Sequence, residues 1–147
     1  MELEVQIESQ MMALPVEADF QRWVDVAAAG VDPETEIVIR IVDREESADL
    51  NAAYRGKTGP TNVLSFPFQA PPETGIKMLG DLVICAPVVA DEAEDQGKPG
   101  FAHWAHMVVH GTLHLLGYDH VNNDDAEIME SRERDILAKL GFPDPYL

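Results

Sequence analysis

All five histidines of the chain fall between positions 103 and 120, in the run FAHWAHMVVHGTLHLLGYDH. The rest of that run is mostly apolar: Phe101, Trp104, Met107, Val108, Val109, Leu113, Leu115 and Leu116. From Phe101 to Leu116 it reads as one helix, and a helix apolar nearly all round must be buried. The remainder of the chain therefore has to cover it. His110 and His114 stand four apart, stacked on one face a turn from each other, the spacing that lets two imidazoles reach one metal ion. Gly117 follows where a residue free to take positive φ ends the helix and turns the chain back, bringing His120 to the same point.

His110, His114, Gly117 and His120 have the spacing of a metzincin-like three-histidine zinc site. Three neutral imidazoles around Zn²⁺ leave a fourth position open, the catalytic rather than the structural arrangement. Burying several unpaired imidazoles instead costs about 1–3 kcal/mol each. His103 and His106 lie near the same helical face and are read as residues behind the ligands or at the surface. A zinc peptidase of this spacing carries Glu directly after the first histidine as general base. Here that position is Gly111, which suits a phosphodiester, whose own negative charge an adjacent glutamate repels. A second positive group is then needed. Arg55 is the candidate, because a guanidinium holds two phosphate oxygens at once; its alternative role is a helix-end residue pairing with the last carbonyls.

The flanking sequence predicts what surrounds the helix. Leu3, Val5 and Ile7 alternate with polar residues, and Ile37, Ile39 and Ile41 repeat the pattern, as two half-buried strands do. Pro15 to Ala29 between them reads as a helix with Val16, Phe20, Trp23, Val24 and Ala27 on one apolar stripe, and Glu45 to Tyr54 as a second. Val63–Phe66 and Leu79–Ala86 read as further strands, Pro87 to Gln96 as an acidic helix, and Asp124 to Leu140 as the last. On this last helix the acids, Glu133 among them, are read as a solvated face, with Ile128, Ile136, Leu137 and Leu140 packing inward. The expected class is α+β: a mixed four-stranded sheet with about five helices, the histidine helix buried. Neither repeats nor linkers interrupt the chain, so residues 1–147 are expected to form one domain.

Charge narrows the partners. Ten Lys and Arg against 27 Asp and Glu leave a net −17, which opposes general binding to nucleic acid or acidic membrane. Any such contact must be local. Between Arg40 and Lys77 five basic residues balance five acids, so an anion is sought there first. A single cysteine, Cys85, excludes an internal disulfide, a zinc ribbon and an iron–sulfur site. No basic-then-apolar leader opens the chain, and the longest uncharged apolar stretch, Leu82 to Ala90, is too short to span a bilayer. A cytoplasmic protein without membrane contact is expected.

The run from His110 to His120 resembles the H-G-x-L-H-L-x-G-Y-D-H signature of the YbeY family of bacterial endoribonucleases. Leu50-Asn51 with Tyr54-Arg55, Thr61 to Phe66, and Leu79-Gly80-Asp81 are similar to further family segments. The resemblance implies zinc held by His110, His114 and His120, a functional Arg55, and single-stranded RNA as substrate. It also implies ribosomal RNA processing, with 3′ end maturation of the small-subunit RNA and ribosome quality control. DNA is not expected; a ribosomal or accessory protein is a possible partner for the acidic surface. Two alternatives stay open: a zinc hydrolase of another class, a peptidase or amidase, and a non-enzymatic, zinc-stabilised ribosome assembly factor.

Overall fold

A computed structural model describes residues 1–147. The elements follow in the order β1 (Glu2–Ile7), α1 (Glu17–Ala27), β2 (Glu36–Val42), α2 (Arg44–Arg55), β3 (Val63–Pro67), β4 (Met78–Cys85), α3 (Ala86–Asp95), α4 (Gly100–Leu115) and α5 (Asn123–Lys139). One short 3-10 turn, Pro72–Thr74, was not foreseen. The α+β class, the mixed four-stranded sheet and the five helices are as expected, with ends shifted by a residue or two.

The strands lie in the order β1-β2-β4-β3. β1, β2 and β4 run parallel, and β3 returns antiparallel on β4 as an edge strand. Alternation divides the sheet into two unlike faces. Ile37, Ile39, Ile41, Leu82 and Ile84 are fully buried on the face covered by α1 and α4. Phe20 packs edge-on against both Trp23 and Trp104, closing the core between α1 and α4. On the opposite face α2 lays Leu50 over a smaller cluster of Val42, Leu64, Val83 and Cys85. α4 is thus buried along most of its length and surfaces at its first turn, around Phe101, and at its C-terminal end, next to β3.

Two glycines make the close approaches that this layering needs. A Cβ on Gly111 would lie 2.8 Å from Leu82 Cδ2 and 3.2 Å from Val63 Cγ2, so α4 sits directly on the sheet at the first histidine. Gly80, with φ +147°, falls at the register shift between β2 and β4. A Cβ there would stand 2.3 Å from the Phe66 carbonyl oxygen and 2.9 Å from Leu115 Cδ2. Backbone strain and overpacking each cost about 1–3 kcal/mol. Gly80→Ala is therefore expected to lose about 2–4 kcal/mol in chemical denaturation; a loss under about 0.5 kcal/mol would contradict this packing.

The helix α5 departs from expectation. Its buried face is Met129, Glu133, Ile136 and Leu137, while Ile128 is 57% exposed and Glu133 is 0% exposed. Residues 129, 133, 136, 137 and 140 form the continuous i, i+4 stripe, and Ile128 lies one residue, about 100°, off it. A carboxylate enters this core because three donors or near-donors await it there.

Candidate metal centre

α4 ends in a Schellman motif. Tyr118 N donates to Leu113 O at 3.0 Å and Gly117 N to His114 O at 3.0 Å, with Gly117 at φ +102°. That turn reverses the chain and returns His120 to the helix end. The three rings converge: His110 and His114 lie 4.6 Å apart by centroid, His114 and His120 5.0 Å, His110 and His120 5.7 Å. One nitrogen from each falls within 4.8 Å of the other two.

The chemistry of the donors fits a metal ion. His114 Nδ1 is 3.0 Å from the Tyr118 carbonyl, which can only accept, so the ring proton sits on Nδ1 and Nε2 keeps its lone pair. That Nε2 faces His110 Nε2 at 3.1 Å. Two ligand nitrogens on a tetrahedral zinc with bonds of about 2.0–2.1 Å stand about 3.3 Å apart. Burial, with the charge of the neighbouring His110 and His120, holds His114 below the usual histidine range, in the neutral form a metal requires. His120 is the exposed member of the set, with 51% of its side chain open to solvent.

The centre opens onto a cleft of about 600 Å³ lined by Tyr54 and Arg55 at the end of α2, residues 62–67 along the β3 edge, and Asp119. Ser65 Oγ donates to the Gly111 carbonyl at 3.2 Å, tying β3 to the histidine helix. Gly56 closes α2 in the left-handed conformation and takes its amide to Ala52 O, leaving Arg55 at the rim. The guanidinium forms none of the chain's ion pairs, whereas Arg40 is tied to Glu46, Arg44 to Asp91 and Lys77 to Asp32. Asp119 caps its own turn, Oδ1 accepting from His120 N at 2.7 Å. The cleft wall from Tyr54 to Pro67 thus comes from the charge-balanced stretch of the sequence, and Arg55 is the cation that lines it.

Behind the three converging histidines lies a second layer that the sequence reading placed only in part. His103 and His106 are buried, not at the surface. His103 Nε2 meets Glu92 Oε1 at 2.9 Å, and His106 Nε2 meets Glu133 Oε2. Burial pushes the Glu133 carboxyl up, but His106 and His110 beside it more than offset this and hold it down at about 2. Glu133 was missed as a site residue. Its signal was an acid on the apolar stripe between Met129 and Leu137, where a carboxylate survives only with partners.

Three histidines converge at the end of a buried helix, open to a cleft beside an edge strand, and this α+β fold presents a donor set able to hold a metal ion. The family model described as "Endoribonuclease YbeY" matches residues 3–141, and the chain belongs to that family. Among solved structures it is similar to the solution structure of TM1509 from Thermotoga maritima, with a TM-score of 0.59 and 20% identity over 94% of this chain and 92% of that one. At that identity the likeness shows the fold. No helix is long and apolar enough to cross a membrane.

Proposed function

We propose that this protein is a zinc-dependent endoribonuclease that cuts single-stranded RNA in ribosomal RNA processing, at the 3′ end of the small-subunit RNA and in ribosome quality control. The observation that carries this reading is the convergence of three imidazoles and one unpaired guanidinium, Arg55, on a single cleft. His110, His114 and His120 hold the ion, which when bound supplies Lewis-acid polarisation of a phosphoryl oxygen. Arg55 takes two oxygens of the same phosphodiester and offsets the charge that grows as phosphorus is attacked. Asp119 keeps Oδ2 without a hydrogen bond and is the carboxylate of the cleft, placed to accept the proton of the attacking hydroxyl. The exposed Tyr54 ring, edge-on to Phe66 at 5.1 Å, offers an unpaired base an aromatic surface at the rim.

The net −17 is compatible with RNA because the repulsive charge lies elsewhere and is screened beyond about 8–10 Å at physiological salt. The acidic exterior is left for solvent or for a basic ribosomal or accessory protein. The peptidase reading is disfavoured by position 111, where a side chain would meet Leu82 and Val63 and the general-base glutamate of that class is replaced by glycine.

Zinc-loaded protein is expected to cut a single-stranded RNA, to leave the same sequence in a duplex intact, and to stop when a chelator is added. Hydrolysis of peptides but not RNA would replace this reading with the peptidase. A zinc-stabilised fold that cuts neither would replace it with the assembly factor.

A further inference from the structure

The residues after α5 wrap back over the buried end of the histidine cluster, and one of them reaches the layer behind the ligands. Tyr146 Oη donates to Glu133, 2.9 Å from Oε1 and 3.0 Å from Oε2. Several contacts fasten this stretch. Lys98 Nζ donates to Pro145 O, Arg134 Nε pairs with Asp144 at 3.0 Å, and the Arg134 guanidinium lies 5.3 Å over the Tyr146 ring. The Tyr146 ring also stands edge-on to His106 at 5.4 Å. Glu133 is thereby gripped by Tyr146 on one side and His106 on the other. Its Oε2 lies 3.4 Å from His110 Nδ1, a buried ring nitrogen that has no hydrogen-bond partner.

We propose that Glu133 is a positioning residue for the metal centre: it accepts a hydrogen bond from Nδ1–H of His110, fixing the tautomer that turns the Nε2 lone pair toward the ion, and the segment 140–147 holds Glu133 in that role through the Tyr146 hydroxyl. His114 already has its counterpart in the Tyr118 carbonyl. His110 has only this carboxylate in the equivalent place. Outer partners of this kind orient a metal-bound histidine and raise its basicity. Desolvation gives the arrangement its force, since a carboxylate at 0% exposure persists only where donors surround it. His106, His110 and Glu133 also lie close enough to suggest a second ion. Here, however, the Glu133 oxygens are already engaged by Tyr146 and His106, and a cation would have to displace both sets of hydrogen bonds.

The inference rests on His110, His114 and His120 being metal ligands; it does not depend on RNA being the substrate. The test is zinc affinity by chelator competition on the full chain, for the wild type, Glu133→Gln and Tyr146→Phe. It is read together with the imidazole nitrogen resonances of His110 and the far-ultraviolet dichroism of each metal-free form. Glu133→Gln is expected to weaken zinc binding about 10- to 100-fold and to shift or broaden the His110 Nδ1–H signal. Tyr146→Phe keeps the ring over Arg134 and His106 and removes only the hydroxyl. It is expected to fold as the wild type does and to weaken zinc binding by a smaller factor, up to about 10-fold. Should Glu133→Gln fail to fold, Tyr146→Phe decides alone. Wild-type affinity and an unmoved His110 signal in the folded variants would overturn the proposal while leaving the ligand set intact. A wild type that binds no zinc would overturn both.

Discussion

Replacing His114 by alanine is expected to lower zinc affinity by more than about 100-fold, beyond the 10–100-fold that loss of an outer partner costs, and to abolish RNA cleavage. The ring contributes two things at once. Its Nε2 lies 3.1 Å from that of His110, and its Nδ1 anchors the Tyr118 carbonyl in the turn that returns His120. Removing it therefore takes away one ligand and loosens the approach of another. The fold should survive, because His114 is only half-buried and the Schellman bonds of the turn are made by backbone. The check is zinc content by elemental analysis after dialysis, beside a denaturation curve. One equivalent of zinc held at wild-type affinity would show that the metal sits elsewhere.

Arg55→Ala is expected to lower kcat about 100- to 1000-fold, the range for removing one preorganised donor from a developing charge, with zinc content unchanged. The separation follows from where Arg55 stands. It is exposed at the end of α2, pairs with no carboxylate of the chain, and lines the cleft without lying among the metal ligands. Its loss should move stability by no more than about 0.5 kcal/mol. Arg55→Lys should recover part of the rate, since a point charge replaces the planar two-pronged donor. Single-turnover cleavage of one defined RNA measures this; wild-type rates in the alanine variant would remove Arg55 from the mechanism, and loss of zinc would make its role structural.

Much of this centre was legible in the residues. The apolar run around Trp104 and Val108 could only be a buried helix, and the spacing of His110, His114, Gly117 and His120 dictated a convergence of three rings that local geometry alone assembles. Alternation around Ile37–Ile41 likewise marked a strand with one buried face. What was hidden depends on contacts distant in sequence. The placing of β3 on the edge of β4 is set by long-range pairing, and with it the line of the cleft. The role of Gly80 comes from Phe66 and Leu115 closing on it from two other elements. Glu133 was read with the solvated acids because helical charge patterns say nothing of what faces them; His106 and Tyr146, 27 residues before it and 13 after, make its burial tolerable. Ile128 was placed inward for the complementary reason, since an apolar residue one step off the stripe has nothing to pack on.

X-ray absorption at the zinc edge of the loaded wild-type protein puts the central claim to its most direct test. The expected spectrum has three imidazole nitrogens at about 2.0–2.1 Å and one further light atom, with no sulfur, since Cys85 is buried in the cluster under α2 on the far face of the sheet. Fewer than three imidazoles, or a fourth protein ligand closing the ion, would contradict it.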